Sequence, residues 1–414
     1  MAYATEPPKQ GFRLSQLIYD TRYRGITIQV VALVLVLLAL SWLVGNLMAN
    51  LEAKGKDIDF SFLWSRAGYD IGQALIPYTN DDNHFRAAMV GLVNTFVVAI
   101  IAAFFATVLG VLIGVLRLSK NWLVSRLMGL YVELFRNIPL VLWIILAYVI
   151  FSEASPEPKD FKVVDGVAKE EMFLGIAAVT NRYTTMPAPV LDRPLPEIAG
   201  LPTSGLAVIL VLMASFWVLS LIRRRATRVQ EATGVRPGTF WPGLAVVVLP
   251  VVALLVAMGF HLDYPTFKGF NFKGGLQLAH AFTAMVVSLS LYYAAVTAEV
   301  VRGGIQAISR GQSEAAFALG LRPGRTMSLV ILPQALRVII PPQISNYLSL
   351  VKDTSLGIAV SYLDLRGTLG GITMNQTGRE LECMLLMMGI YLSISLILSG
   401  LLNFYNASVK LKER

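Results

Sequence analysis

Twenty-four consecutive residues, Ile26 to Ala49, contain no charged side chain: ITIQVVALVLVLLALSWLVGNLMA. A helix rises 1.5 Å per residue, so about 20 apolar residues match the roughly 30 Å hydrocarbon core of a bilayer. In that core every backbone N–H and C=O needs a partner from the protein, and a single segment satisfies itself only as a helix. The stretch is too long for the core of a cleaved leader and lacks a small-x-small cleavage pattern, so it is expected to remain as an anchor. Comparable runs recur at about 85–116, 127–151, 205–222, 239–260, 276–300 and 383–405. Charged residues are 15% of the chain and the mean hydropathy is +0.63, whereas a soluble domain carries about 25% charge. The expected fold class is therefore an all-α polytopic membrane protein of about eight transmembrane helices.

The remaining span is less regular. Val338–Leu363, VIIPPQISNYLSLVKDTSLGIAVSYL, holds two prolines, an asparagine and a Lys-Asp pair. Charge decides the matter, because Lys and Arg gather in the short cytoplasmic loops. With the N-terminus inside and eight crossings, the inner segments are 1–25, 117–126, 222–237, 301–337 and 406–414, with 20 Lys/Arg and five acids. The outer segments 50–84, 152–204, 261–275 and 353–382 hold 12 Lys/Arg against 19 acids. Removing the irregular span would place the basic tail KLKER outside, so 338–363 is expected to cross as a broken helix, with both termini cytoplasmic.

The net charge of +9 is spread over five loops with no single basic face, which argues against nucleic acid. The densest cluster, Arg223-Arg224-Arg225-Ala226-Thr227-Arg228, is expected to form a turn that anchors topology and touches membrane lipid. The lone Cys383 permits no disulfide within the chain. No phosphate cradle of the G-x-x-x-x-G-K-[ST] type occurs, and Gly274-Gly275, Gly303-Gly304 and Gly370-Gly371 are expected to be turns. The three histidines lack metal spacing, and no nucleophile or paired-carboxylate cluster suggests an enzyme.

Between the sixth and seventh spans lies EAAFALGLRPGRTMSLVILP, Glu314–Pro333. Ser313 is a fitting N-cap, Glu314 suits the first turn, Gly320 closes the helix, and the Gly/Pro turn redirects it. Such a segment projects from the membrane as a short knob, and its alanines allow close packing by another protein. Glu314-Ala315-Ala316, Gly320 and Ile331-Leu332-Pro333 resemble the EAA loop of binding-protein-dependent ABC importer permeases. FRNIPLVL (Phe135–Leu142), LVNTF (Leu92–Phe96) and the segment ending in KDTSL (Leu332–Leu356) resemble further motifs of the polar amino-acid permeases, with Asn137-Ile138 in place of the usual Gly-Thr.

That resemblance implies a type I importer core of five spans, divided between 85–151 and 276–405, with a coupling loop at 301–337. An extra first span (26–49), an insert (152–204) and two extra spans (205–260) resemble the long form found in general L-amino-acid importers. Glu314, Ala315, Ala316, Gly320, Leu332 and Pro333 would couple to the ATPase. The chain itself would need no cofactor, with ATP and magnesium held by two separate ATP-binding subunits. A second homologous permease, identical or not, and an extracytoplasmic amino-acid-binding protein would complete the complex in a bacterial inner membrane.

Ionisable groups at membrane depth are costly and mark pathways. Asn346, Lys352, Asp353, Thr354 and Ser355 are the substrate-path candidates, with a half-helix ending near Lys352 and Asp353 or Thr354 capping the next. The alternative is that Lys352 and Asp353 pair with each other or with a neighbouring span to hold the break. Glu133 with Arg136, and Glu299 with Arg302, stand three apart on one helix face and are candidate gate braces or local charge neutralisers. The acidic insert shows no periodicity for a large core and is expected to be a spacer more than a module. An ATP-independent secondary transporter or channel would explain the spans but not the knob, and a purely structural subunit would leave the polar residues without a transport role.

Overall fold

The computed structural model describes residues 16–55, 57–164, 167–196 and 203–409. Two compact units divide the chain between Phe60 and Ser61. The first contains α1 (Thr21–Ala53), whose apolar side chains are exposed along its length. In the second unit, α2 (His84–Leu116) starts at Asn83, whose side chain accepts the Arg86 amide at 2.8 Å. The preceding segment folds back on this start, packing Phe62 against Ala88 and Ala67 and Ile71 against Ala87 and Val90. Among the described residues seven helices are long and apolar enough to cross a membrane, or eight if one bent pair is counted as a span.

The bent pair corrects the third expected span. Residues 127–151 are not one rod: α3 (Trp122–Asn137) and α4 (Leu140–Glu153) meet at 103°. Pro139 has no N–H and disfavours helical backbone at the residue before it, and Ile138 is accordingly extended at φ −101°, ψ 132°.

Next come α5 (Thr203–Thr233) and α6 (Phe240–Ala257), an antiparallel hairpin in which Ser215, Ala226 and Gly243 are buried. The expected basic turn is helical instead, since Arg223–Arg228 lie within α5 and the chain turns later, at Gly234 (φ 73°).

The main core forms where α2 meets α7 (His280–Gln306). A β-carbon on Gly110 would lie 2.5 Å from Thr297 Cβ, and one on Gly114 would lie 2.7 Å from the Ala298 carbonyl. Small residues let membrane helices approach until their backbones touch, and Ala102, Ala106, Ala294 and Ala298 extend that seam. Gly303-Gly304 belong to α7 and do not form a turn; Gly304 receives Ile339. Gly274-Gly275 do turn, both at positive φ, while Gly370-Gly371 sit in a widened helical segment, Thr368–Thr373.

After α7 come α8 (Arg310–Ala318), a widened turn at Met327–Ile331 and α9 (Leu332–Asp353), which accommodates Pro341 and Pro342 internally. A tighter helix, Thr354–Val360, follows directly, and α10 (Glu380–Val409) closes the bundle.

The insert, where no large core was expected, is built of short strands. It contains β1 (Val163–Val164), β2 (Val167–Ala168), β3 (Ala178–Val179), β4 (Thr184–Met186) and β5 (Ala188–Leu191). The α6–α7 connection supplies β6 (Phe260–Asp263), β7 (Thr266–Lys268), β8 (Asn271–Lys273) and β9 (Leu276–Leu278). Antiparallel pairing of β4 with β9 and β5 with β6 joins the two segments into a layer of small, separate sheets. Phe161, Ala178 and Phe272 form its small core. Distant chain segments share that core, so no periodicity within the insert could reveal it.

Candidate permeation and coupling site

The motif Leu92–Phe96 lies on α2 directly against the segment after α9. Asn94 donates its side-chain amide to the carbonyls of Gln73 and Leu363, at 2.8 and 2.9 Å. Thr95 Oγ1 accepts the Leu365 amide at 3.1 Å, and Tyr362 donates its hydroxyl to the Asn94 carbonyl at 3.2 Å. Between these contacts sits Asp364, fully buried. Its carboxylate accepts the Gly367 amide at 2.8 Å, the Tyr391 hydroxyl of α10 at 3.4 Å and the Thr354 hydroxyl at 3.5 Å. One carboxylate thus binds three elements at the point where the chain reverses, next to the left-handed Ser361 (φ 57°). Asp364 and Tyr391 were missing from the expected site; an acid one residue beyond the assumed end of a span was the available signal.

Of the expected path residues, Thr354 is buried at this junction and donates to the Val351 carbonyl at 2.9 Å. Asp353 accepts the Tyr293 hydroxyl of α7 at 2.7 Å. Neither Asp353 nor Thr354 caps the following helix with its side chain, which corrects that expectation: the backbone passes from one helix to the next in helical geometry. Lys352 is exposed, and among the described residues no ion pair joins it to Asp353. Ser355 is half-buried beside Thr354. Asn346 contacts Gln343 at 3.4 Å, and Gln343 reaches Thr297 at 3.1 Å. Tyr347 meets Thr107 at 2.7 Å. A ladder of uncharged hydrogen-bonding groups therefore runs along α9, facing α2 and α7.

The FRNIPLVL motif wraps α7 through its kink. Phe135 and Trp143 stack across the bend at 4.2 Å between centroids. Ser288 donates to the Trp143 carbonyl at 3.0 Å, and the Tyr131 hydroxyl donates to the Leu291 carbonyl at 2.7 Å. Further along α7, Glu299 accepts from Arg117 and Arg302, and Arg136 stands 3.9 Å away. The expected Glu299–Arg302 pair forms and is part of a larger cluster that includes Arg117 and Arg136. Among the described residues no Glu133–Arg136 ion pair forms: Glu133 is exposed, and Arg136 turns to the cluster around Glu299. Spacing within α3 could not disclose a partner supplied by α7.

Beyond Glu299 the chain enters α8. Its N-cap is Ser309, with no side-chain cap bond, so the helix starts before Ser313 and Glu314 lies exposed at its middle. Ala316 is buried, whereas Ala315, Phe317 and Leu319 face outward. Closure follows the glycine pattern: Gly320 adopts φ 79°, its amide bonds the Phe317 carbonyl at 2.9 Å, and the Leu321 amide bonds the Ala316 carbonyl at 3.1 Å. These paired bonds satisfy the last carbonyls of the helix. Gln334 ties the knob to α9 by contacting Gln312 at 3.2 Å, while Leu332 and Pro333 begin α9 and remain exposed. Among the described residues no group of His, Cys, Asp and Glu is placed to hold a metal ion.

A multi-pass helical bundle with polar groups converging on one central helix, and a rigid knob at that helix's end, defines a transport permease. The family described as "Binding-protein-dependent transport system inner membrane component" matches residues 240–411. The chain is 61% identical to the glutamate/glutamine/aspartate/asparagine transport system permease protein BztB of Rhodobacter capsulatus, with 100% of both chains covered. It is 38% identical to the general L-amino acid transport system permease protein AapQ of Rhizobium johnstonii, over 98% of this chain and 96% of that one. BztC, a permease protein of the identically named Rhodobacter capsulatus system, is 39% identical over 125 residues, covering 30% of this chain and 26% of BztC. The chain belongs to the family of amino-acid ABC transport system permeases.

Proposed function

We propose that this chain forms one half of the membrane pathway of an ABC importer for L-glutamate, L-glutamine, L-aspartate and L-asparagine in a bacterial inner membrane, with both termini in the cytoplasm. The observation that carries the reading is the knob: α8, closed at Gly320 and tied to α9 through Gln312 and Gln334, presents Phe317 and Leu319 to solvent. A soluble motor that grips such a surface moves α7 and α9 together. Glu314, Ala315, Ala316, Gly320, Leu332 and Pro333 are the coupling residues in this scheme. ATP and magnesium belong to two separate ATP-binding subunits. A second permease, for which BztC is the model among the relatives, completes the pathway, and an extracytoplasmic binding protein delivers the amino acid.

Asn346, Asp353, Thr354 and Ser355 line the path beside Tyr293, and Lys352 lies at its edge. The Glu299 cluster with Arg117, Arg136 and Arg302 braces the end nearest the knob. Co-purification from native membranes, followed by measurement of ATP turnover, tests the reading. Two ATPase chains and a second permease are expected, with turnover raised by the four amino acids in the presence of the binding protein. Vigorous uptake by vesicles containing this chain alone, without nucleotide, would overturn it in favour of a secondary transporter.

A further inference from the structure

We infer that the α5–α6 hairpin carries a binding site for the headgroup of an anionic phospholipid. The hairpin packs on itself, and few of its apolar side chains are buried. On a helix of 3.6 residues per turn, Ser215, Leu219 and Ala226 fall within about 40° of one another. They form the seam with α6: Ser215 and Ala226 are buried, and Leu219 meets Gly243. Arg224, Arg225 and Arg228 span about 100° centred on the opposite side of the same helix. All three are exposed, and among the described residues none has an ion pair.

The same outer face continues downward as Leu210, Met213, Trp217 and Leu221, which are 59%, 63%, 65% and 41% exposed. Trp217 lies about 10 Å below Arg224 along the axis at 1.5 Å per residue. At the facing start of α6, Phe240 and Trp241 are also exposed. Aliphatic side chains, then tryptophan, then arginine, in that order along one stripe, match acyl chain, glycerol level and phosphate of a lipid. α5 spans 31 residues, Thr203–Thr233, or about 46 Å, well beyond a 30 Å core, so the arginines sit where headgroups lie. Guanidinium groups bind phosphate oxygens in pairs, and each basic residue near an anionic surface favours binding by about fivefold.

Quenching of tryptophan fluorescence tests the site in the full-length chain reconstituted with brominated lipids. The Trp217 signal is the difference between the native chain and Trp217→Phe. Brominated phosphatidylglycerol is expected to quench that signal at a mole fraction lower than that of brominated phosphatidylcholine by up to roughly a hundredfold, the product of three fivefold factors. The preference is expected to vanish in Arg224→Gln/Arg225→Gln/Arg228→Gln and to be weakened but retained when lysine, which keeps the charge and loses the paired contact, replaces the three arginines. Equal quenching by both lipids in the native chain would overturn the assignment, even if the glutamine variant failed to insert. So would an undiminished preference in a correctly inserted glutamine variant. The assay involves no transport, so its outcome is separate from that of the importer reading.

Discussion

A β-carbon at Gly91 would stand 2.2 Å from Thr368 Oγ1 and 2.6 Å from the Asp364 carbonyl oxygen. The second contact is with backbone and cannot be relieved by rotating a side chain. Gly91→Ala is therefore expected to destabilise the chain by about 1–3 kcal/mol through overpacking, read as a lower thermal midpoint in detergent. Asp364→Ala acts in the opposite way, by subtraction. It strands the Gly367 amide, at a cost of about 1–3 kcal/mol for a group left without a partner, and removes one acceptor from the hydroxyls of Tyr391 and Thr354, the latter keeping its bond to the Val351 carbonyl. Asp364→Asn keeps a carbonyl oxygen for the Gly367 amide and should recover much of that loss; equal loss in both variants would show that charge, not hydrogen bonding, is what the site requires. At Glu299 the arithmetic is ionic. Glu299→Gln leaves Arg117, Arg136 and Arg302 without a counter-charge, and an expected loss of about 1–3 kcal/mol is measurable by the same melting experiment. These sites were only half visible in the sequence. Glu299 and Asp353 declared themselves as acids in apolar surroundings, but Arg117 and Tyr293 are recognisable as partners only once α2, α7 and α9 are placed side by side.

Among the elements, the knob was the most legible, because local chemistry builds it. Glycine at a left-handed position and proline shortly after it specify a helix end whatever surrounds them. Its starting residue was less so: Ser313 was the expected cap, and the helix begins a turn earlier, after Ser309, whose side chain makes no cap bond. Gly320→Ala is expected to cost about 1–2 kcal/mol, the penalty for an L-residue in left-handed geometry. Because the knob is small and exposed, the loss should appear as reduced amino-acid-stimulated ATP turnover with the melting temperature of the bundle nearly unchanged. A large fall in melting temperature instead would mean that the loop is integral to the core. The α3–α4 bend was equally open to reading, since Pro139 disfavours helix at Ile138. Hydropathy averaged over 127–151 conceals it, because both limbs are apolar. The β4–β9 and β5–β6 pairings were not legible at all: strands of three or four residues, separated in sequence by two long helices, carry no periodic signal.

At the scale of the whole permease, α7 connects the two ends. It begins two residues after β9 and stops three residues short of α8, spanning 27 residues, or about 40 Å. The β layer, the polar ladder and the knob thus all adjoin one long element, and the insert pairs with the strand, β9, that leads directly into it. Whether that layer folds as a unit of its own depends on where its stability resides. Phe161, Ala178 and Phe272 form its buried centre, with Phe267 and Tyr183 packed alongside, and the helical core has separate clusters. Phe272→Ala removes the largest shared side chain, a loss of about 3–5 kcal/mol for a buried aromatic. A layer of short strands has little else to hold it, so it is expected to open locally while the bundle persists. Limited proteolysis should then cut between residues 153 and 196 in the variant and spare α2, α7 and α9. If the entire chain instead became susceptible at once, layer and bundle would be a single cooperative unit, and the small aromatic core would be part of what holds the transmembrane helices together.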